Sequence, residues 1–83
     1  MGKHDRTLRA VFTTPTPSNI RWSDVESLLR HLGAEISEGS GSRVRIALRG
    51  VRAVFHRPHP RKEANQSTVR DVRSFLSEAE IRP

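Results

Sequence analysis

Between residues 43 and 55 the chain reads RVRIALRGVRAVF, and no other stretch restricts the fold as tightly. Val44, Ile46 and Leu48 alternate with Arg43, Arg45, Ala47 and Arg49, the period of a strand with one face buried and one face wet. Gly50 breaks the run. With Arg49 and Gly50 as a two-residue loop, strand geometry pairs Leu48 with Val51, Ile46 with Ala53 and Val44 with Phe55, all apolar and all on one face. The other face then sets Ala47 opposite Arg52, Arg45 opposite Val54 and Arg43 opposite His56. A slip of one residue would oppose apolar side chains to arginines throughout, so the register is strongly specified. Arg-Gly is a weaker turn signal than Asn-Gly or Asp-Gly; the two faces carry the prediction, not the turn.

The flanking segments supply what this hairpin must be covered with. Ser23 and Glu26 have the spacing of a capping box, and Asp24 places negative charge in the first turn, which predicts a helix over residues 23–32. Val25, Leu28, Leu29 and Leu32 form its apolar stripe, and Gly33 follows where a left-handed cap is wanted. Trp22, just ahead of it, reads as a core or rim residue more than as a platform for stacking bases. Residues 34–37 are a short alternating run leading into the Gly39-Ser40-Gly41-Ser42 loop. That loop matches neither the P-loop nor the dinucleotide fingerprint and reads as a flexible connector.

Beyond the hairpin, Pro58 and Pro60 take the chain out of the sheet and stiffen a basic loop that includes Arg57, Arg61 and Lys62. A last helix is predicted from an N-cap at Ser67 to about residue 80, with Val69, Val72, Phe75, Leu76 and Ala79 on one side. Upstream of all this, residues 1–5 read as a frayed terminus. Leu8, Ala10 and Phe12 alternate with Thr7, Arg9 and Val11, which predicts an extra N-terminal edge strand. Pro15 and Pro17 mark an irregular connector after it. The predicted class is therefore α+β in two layers: order α-β-β-β-α, a three-stranded antiparallel sheet with two helices on one face. The arginine-bearing face is left open.

A chain of 83 residues makes one domain with a small core, here divided into an N-terminal extension, residues 1–20, and the folded domain, residues 21–83. The formal net charge of +6 comes mainly from arginine, whose planar fork suits phosphate, so nucleic acid is the leading partner class and an acidic protein the alternative. The absence of cysteine excludes disulfides, thiolate metal sites and thiol nucleophiles. No apolar run approaches the roughly 20 residues of a membrane span, and no secretory apolar region opens the chain, which predicts a cytoplasmic protein with no membrane partner.

The succession of a leucine-rich helix ending in His31-Leu32-Gly33, then Gly41-Ser42, the hairpin, Pro58-His59 with Lys62-Glu63, and residues 69–81 resembles the HicA toxins of bacterial toxin-antitoxin pairs. The resemblance covers about residues 22–82. It implies a fold like that of double-stranded-RNA-binding domains and a metal-independent mRNA interferase, an endoribonuclease that inhibits translation. It further implies neutralisation by a HicB-like antitoxin, with no metal and no small-molecule cofactor. Gly41 and Ser42 match the family motif, as do Pro58, His59, Lys62 and Glu63 in the loop. The family motif continues Gly-Ser-His with that histidine catalytic; this chain has Arg43 there.

Cutting RNA without metal needs a base for the 2′-hydroxyl proton, an acid for the leaving 5′-oxygen and cations for the charge growing on phosphorus. Imidazole suits both proton roles. The hairpin register puts His56 across from Arg43, so His56 is the first candidate catalytic residue, with Arg43 holding the phosphate, and His59 is the second. The alternative for each is an ordinary surface histidine. His56 and His59 also have a spacing that suggests metal, but the prolines preclude a helix there and no third ligand follows at a fitting distance in sequence. His4 and His31 look incidental, the latter placed to interact with a helix C-terminus. Arg43, Arg45, Arg52, Arg57, Arg61 and Lys62 form the predicted RNA footprint, since RNA is contacted chiefly through phosphates and 2′-hydroxyls.

Overall fold

The computed structural model describes residues 2–83 and contains, in chain order, α1 (Lys3–Val11), α2 (Trp22–His31), β1 (Glu35–Glu38), β2 (Arg43–Leu48), β3 (Val51–His56) and α3 (Gln66–Glu78). The three strands form an antiparallel sheet in the order β1-β2-β3. The β2–β3 register pairs Leu48 with Val51, Ile46 with Ala53, Val44 with Phe55 and Arg43 with His56, as the alternation requires. Arg49 and Gly50 both have positive φ, 50° and 81°, the backbone of a primed two-residue turn whose twist matches the strands. Arg49 is the costlier residue for that conformation. Its side chain reaches across to the end of α3, where Nη1 donates to the Ala79 carbonyl at 3.2 Å.

Val44, Ile46, Leu48 and Phe55 face α2 and α3, and together with Val25, Leu28, Leu29, Val69, Val72 and Leu76 they form one core. The Phe55 ring is the hinge between layers: it lies 5.9 Å from the Trp22 ring of α2 and edge-on, at 6.0 Å, to Phe75 of α3. Trp22 is 5% exposed, a core residue as its size suggests. The two predicted helix starts need correction. Helix α2 begins at Trp22, with Arg21 as N-cap and no side-chain cap, because Glu26 turns inward instead of back toward Ser23. Helix α3 begins at Gln66, where the Asn65 side chain accepts from the Thr68 amide at 2.8 Å; the cap is Asn65, not Ser67. Gly33, with φ of 95°, terminates α2 as predicted, and Ala34 N–H closes onto the Leu29 carbonyl at 2.9 Å. The 39–42 loop is also tighter than a slack connector, since two backbone bonds close it, Gly39 N–H to the Arg43 carbonyl at 2.9 Å and Arg43 N–H to the Ser40 carbonyl at 3.1 Å.

The N-terminal segment is where the structure departs most from the sequence expectation. Residues 3–11 are a helix, not an edge strand, and Lys3 to Asp5 belong to its first turn; Met1 lies outside the described residues. Over nine residues a period of two and a period of 3.6 both fit, and tertiary packing decides. Val11, fully buried, joins the common core while Leu8, Ala10 and Phe12 pack partly against it. Helix α1 packs on α2 and α3. Arg73 of α3 holds its C-terminal end, donating to the Val11 carbonyl at 2.9 Å, the Thr13 carbonyl at 3.1 Å and Thr16 Oγ1 at 3.1 Å. At the other end Lys3 pairs with Asp24 at 3.1 Å, and the His4 and His31 rings stack with centroids 4.3 Å apart. The two histidines that looked incidental thus join α1 to α2.

Candidate active site

The open sheet face follows from the alternation in β2 and β3. Arg43, Arg45, Arg52, Val54 and His56 all lie exposed on it. Beside them, Glu35 and Ser37 of β1 complete a shallow groove of about 660 Å³ whose floor includes Ala47. Val54, at 55%, is the one large apolar side chain exposed among the described residues. This face is therefore apolar in the middle, with arginines along β2 and β3 and the Glu35 carboxylate at the β1 edge.

After His56 the ladder gives one more bond, Arg57 N–H to the Ser42 carbonyl at 2.9 Å, and the chain turns outward into residues 57–63. The loop is tied down at its far end. Trp22 N–H donates to the Lys62 carbonyl at 2.9 Å, Ala64 N–H to the Ile20 carbonyl at 2.8 Å, and Arg21 and Glu63 form an isolated antiparallel bridge. Between the end of β3, this loop and the start of α3 lies a cleft of about 280 Å³ lined by His56, His59, Arg61, Glu63, Asn65 and Thr68. The two candidate histidines share one cleft. Arg43 stands directly across the ladder from His56, while Arg61 and Lys62 project from the loop. Among the described residues no group of three His, Asp or Glu side chains converges as a metal site.

Arg57 sits differently from the rest of the predicted footprint. Its side chain points to the helical side, where Nη1 and Nη2 grip Glu38 at 2.5 and 2.8 Å and Nε meets Glu26 at 2.7 Å. Glu26, 8% exposed, also accepts from the Trp22 indole and lies 3.5 Å from Arg30. Burial pushes the Glu26 carboxyl up, but the hydrogen bonds from Arg57 and Trp22, reinforced by the charges of Arg57 and Arg30, outweigh it and hold it below its ordinary range. The Arg57 hydrogen bonds likewise lower Glu38, and Glu38 with Glu26 raises Arg57 above the usual arginine value. Arg57 is thus a structural rivet for the basic loop, with its charge already compensated. Glu26, read from the sequence as half of a capping box, has a different role: spaced four from Trp22 on the buried side of a helix it accepts from the indole, and its ion-pair partner is 31 residues away.

A protein-family model described as the HicA toxin of bacterial toxin-antitoxin systems matches residues 22–81, the part of the chain that holds α2, the sheet, the loop and α3. The chain belongs to the HicA toxin family. As a HicA toxin it is one half of a toxin-antitoxin pair, so an antitoxin is its partner. No curated protein and no solved structure matches the chain. The HicA match begins at the first residue of α2 and leaves α1 outside it. No helix among the described residues is long and apolar enough to cross a membrane.

Proposed function

We propose that this HicA toxin is an endoribonuclease that cuts messenger RNA and so blocks translation, with the cleft between β3, the loop and α3 as its active site. The observation that carries this reading is the convergence of His56 and His59 on that one cleft, beside the cations Arg43 and Arg61. His56 takes the proton of the 2′-hydroxyl; the 2′-oxygen attacks phosphorus; His59 protonates the departing 5′-oxygen. The products are a 2′,3′-cyclic phosphate and a free 5′-hydroxyl, so the reaction balances without a metal or a cofactor. Arg43, placed where the family motif carries its histidine, supports charge on the phosphoryl oxygens.

The antitoxin, which we take to be HicB-like, covers the open sheet face. Support comes from the groove around Ala47 and Val54, whose apolar middle and arginines along β2 and β3 suit a protein partner with acidic residues at its rim. Incubation of 5′-labelled RNA with the purified chain in excess chelator tests the chemistry. Fragments ending in cyclic phosphate are expected, and they should disappear for His56→Ala and His59→Ala. If both variants cut as the parent does, the assignment of the site is wrong.

Arg43 also favours a second reading, a non-catalytic RNA-binding module of the same fold. In that case the same assay yields RNA retention without fragments.

A further inference from the structure

The loop of residues 57–63 has a cleft on each flank, and only one of them holds the histidines. The other, of about 450 Å³, opens between the loop and the first turn of α2, with Arg21, Ser23, Arg61 and Lys62 around it and Pro58 and Pro60 as its wall. Among the described residues no carboxylate lines it. The histidine cleft, by contrast, includes Glu63, and the cavity beside α1 includes Asp24. Arg57 borders the cleft too, but its charge is matched by Glu38 and Glu26. The net charge of the cleft therefore comes from Arg21, Arg61 and Lys62, all exposed and without a carboxylate partner among the described residues.

These cations are not scattered by chance on mobile chain. The Trp22 to Lys62 hydrogen bond and the Arg21–Glu63 bridge fix the backbone of both walls. Holding three like charges around one concavity costs free energy that an anion with several oxygens recovers. Arg61 and the two prolines border both clefts, so the two clefts lie on either side of the loop as neighbours.

We propose that Arg21, Arg61 and Lys62 form a phosphate subsite that holds the RNA backbone next to the phosphodiester at His56 and His59. The inference rests on the RNA-cleaving reading for the identity of its ligand, and adds Arg21 as a residue that grips substrate without taking part in proton transfer.

The test uses a labelled single-stranded 20-mer methylated at every 2′-oxygen, which binds but cannot be cut, titrated between 50 and 400 mM salt. In the double variant Arg21→Gln/Lys62→Gln the salt slope should fall in magnitude by about 1.4, at about 0.7 per phosphate contact, and affinity at 100 mM should drop about tenfold. Arg9→Gln, on the exposed side of α1, should change neither. With unmodified RNA the double variant should raise KM and leave kcat within about twofold, because the cleft contributes binding shared by ground and transition states. Parental affinity and slope in the double variant, or a fall in kcat at constant KM, would overturn the subsite. A parent protein that binds the methylated strand in this way but cuts nothing would keep the subsite and remove the nuclease; a parent without salt-dependent binding would remove both. Should the double variant fold poorly, amide shifts of Arg21 and Lys62 in the parent on adding the methylated strand decide the matter, and unshifted amides refute the proposal.

Discussion

Glu26 accepts hydrogen bonds from both Trp22 and Arg57, so a single buried carboxylate fastens the start of α2 to the strand end from which the basic loop departs. Glu26→Ala leaves the indole N–H of a 5%-exposed tryptophan without an acceptor and takes away Arg57's inner partner. A loss of about 2–3 kcal/mol in urea unfolding is expected. Glu38→Ala removes the outer, exposed partner and should cost clearly less, because solvent screens that ion pair.

The same pair fixes an acid limit. Both Glu26 and Glu38 are held below their ordinary value of 4.5 in the folded chain. A depressed carboxylate contributes stability that is complete above its unfolded pKa and disappears as pH falls through the folded one. Unfolding free energy should therefore be level, as far as these groups decide it, from neutral pH down to about 5, and should decline below about 4.5. Glu26→Gln should flatten that acid limb in chemical denaturation measured across the range.

Arg43 and His56 face each other across the ladder, so an imidazole at position 43 would stand beside the one at position 56. On the proposed chemistry, with His56 as the base, His56→Ala should lower the cleavage rate by about 10²-fold or more. Arg43→His in that background should recover much of the loss, and Arg43→Gln should not. Single-turnover cleavage on a denaturing gel reads all three.

Arg73→Ala removes the donors that hold the Val11 and Thr13 carbonyls and should cost about 1–3 kcal/mol. If α1 is integral to the core, the variant unfolds in a single transition at lower denaturant. An early separate transition would mean that residues 3–11 come away alone.

What could be read in advance follows a physical divide. The hairpin register was legible to the residue because two faces of opposite chemistry constrain it together, and one shift spoils both. The apolar stripes of α2 and α3 were legible for the same reason. Residues 6–12 were not, since a short run in which Leu8, Ala10 and Phe12 alternate also carries Thr7 and Val11 on one helical side, and only the groove between α2 and α3 makes the second pattern pay. Arg57 looked like its basic neighbours. Its commitment to Glu26 and Glu38, partners 31 and 19 residues away, exists only once the layers have met. The convergence of His56 and His59 lies between these cases: the sequence gathered them near a turn, and the path of the loop set them around one cleft.

The reach of Arg49 from the hairpin tip to the Ala79 carbonyl joins the sheet to the last turn of α3 at the end of the molecule opposite the basic loop. That contact ties the tip of the hairpin to the end of the helix, so the slowest amides at both should exchange with solvent at a common rate. Opening at this end should then take strand and helix together, while loosening at the basic loop should leave the hairpin paired.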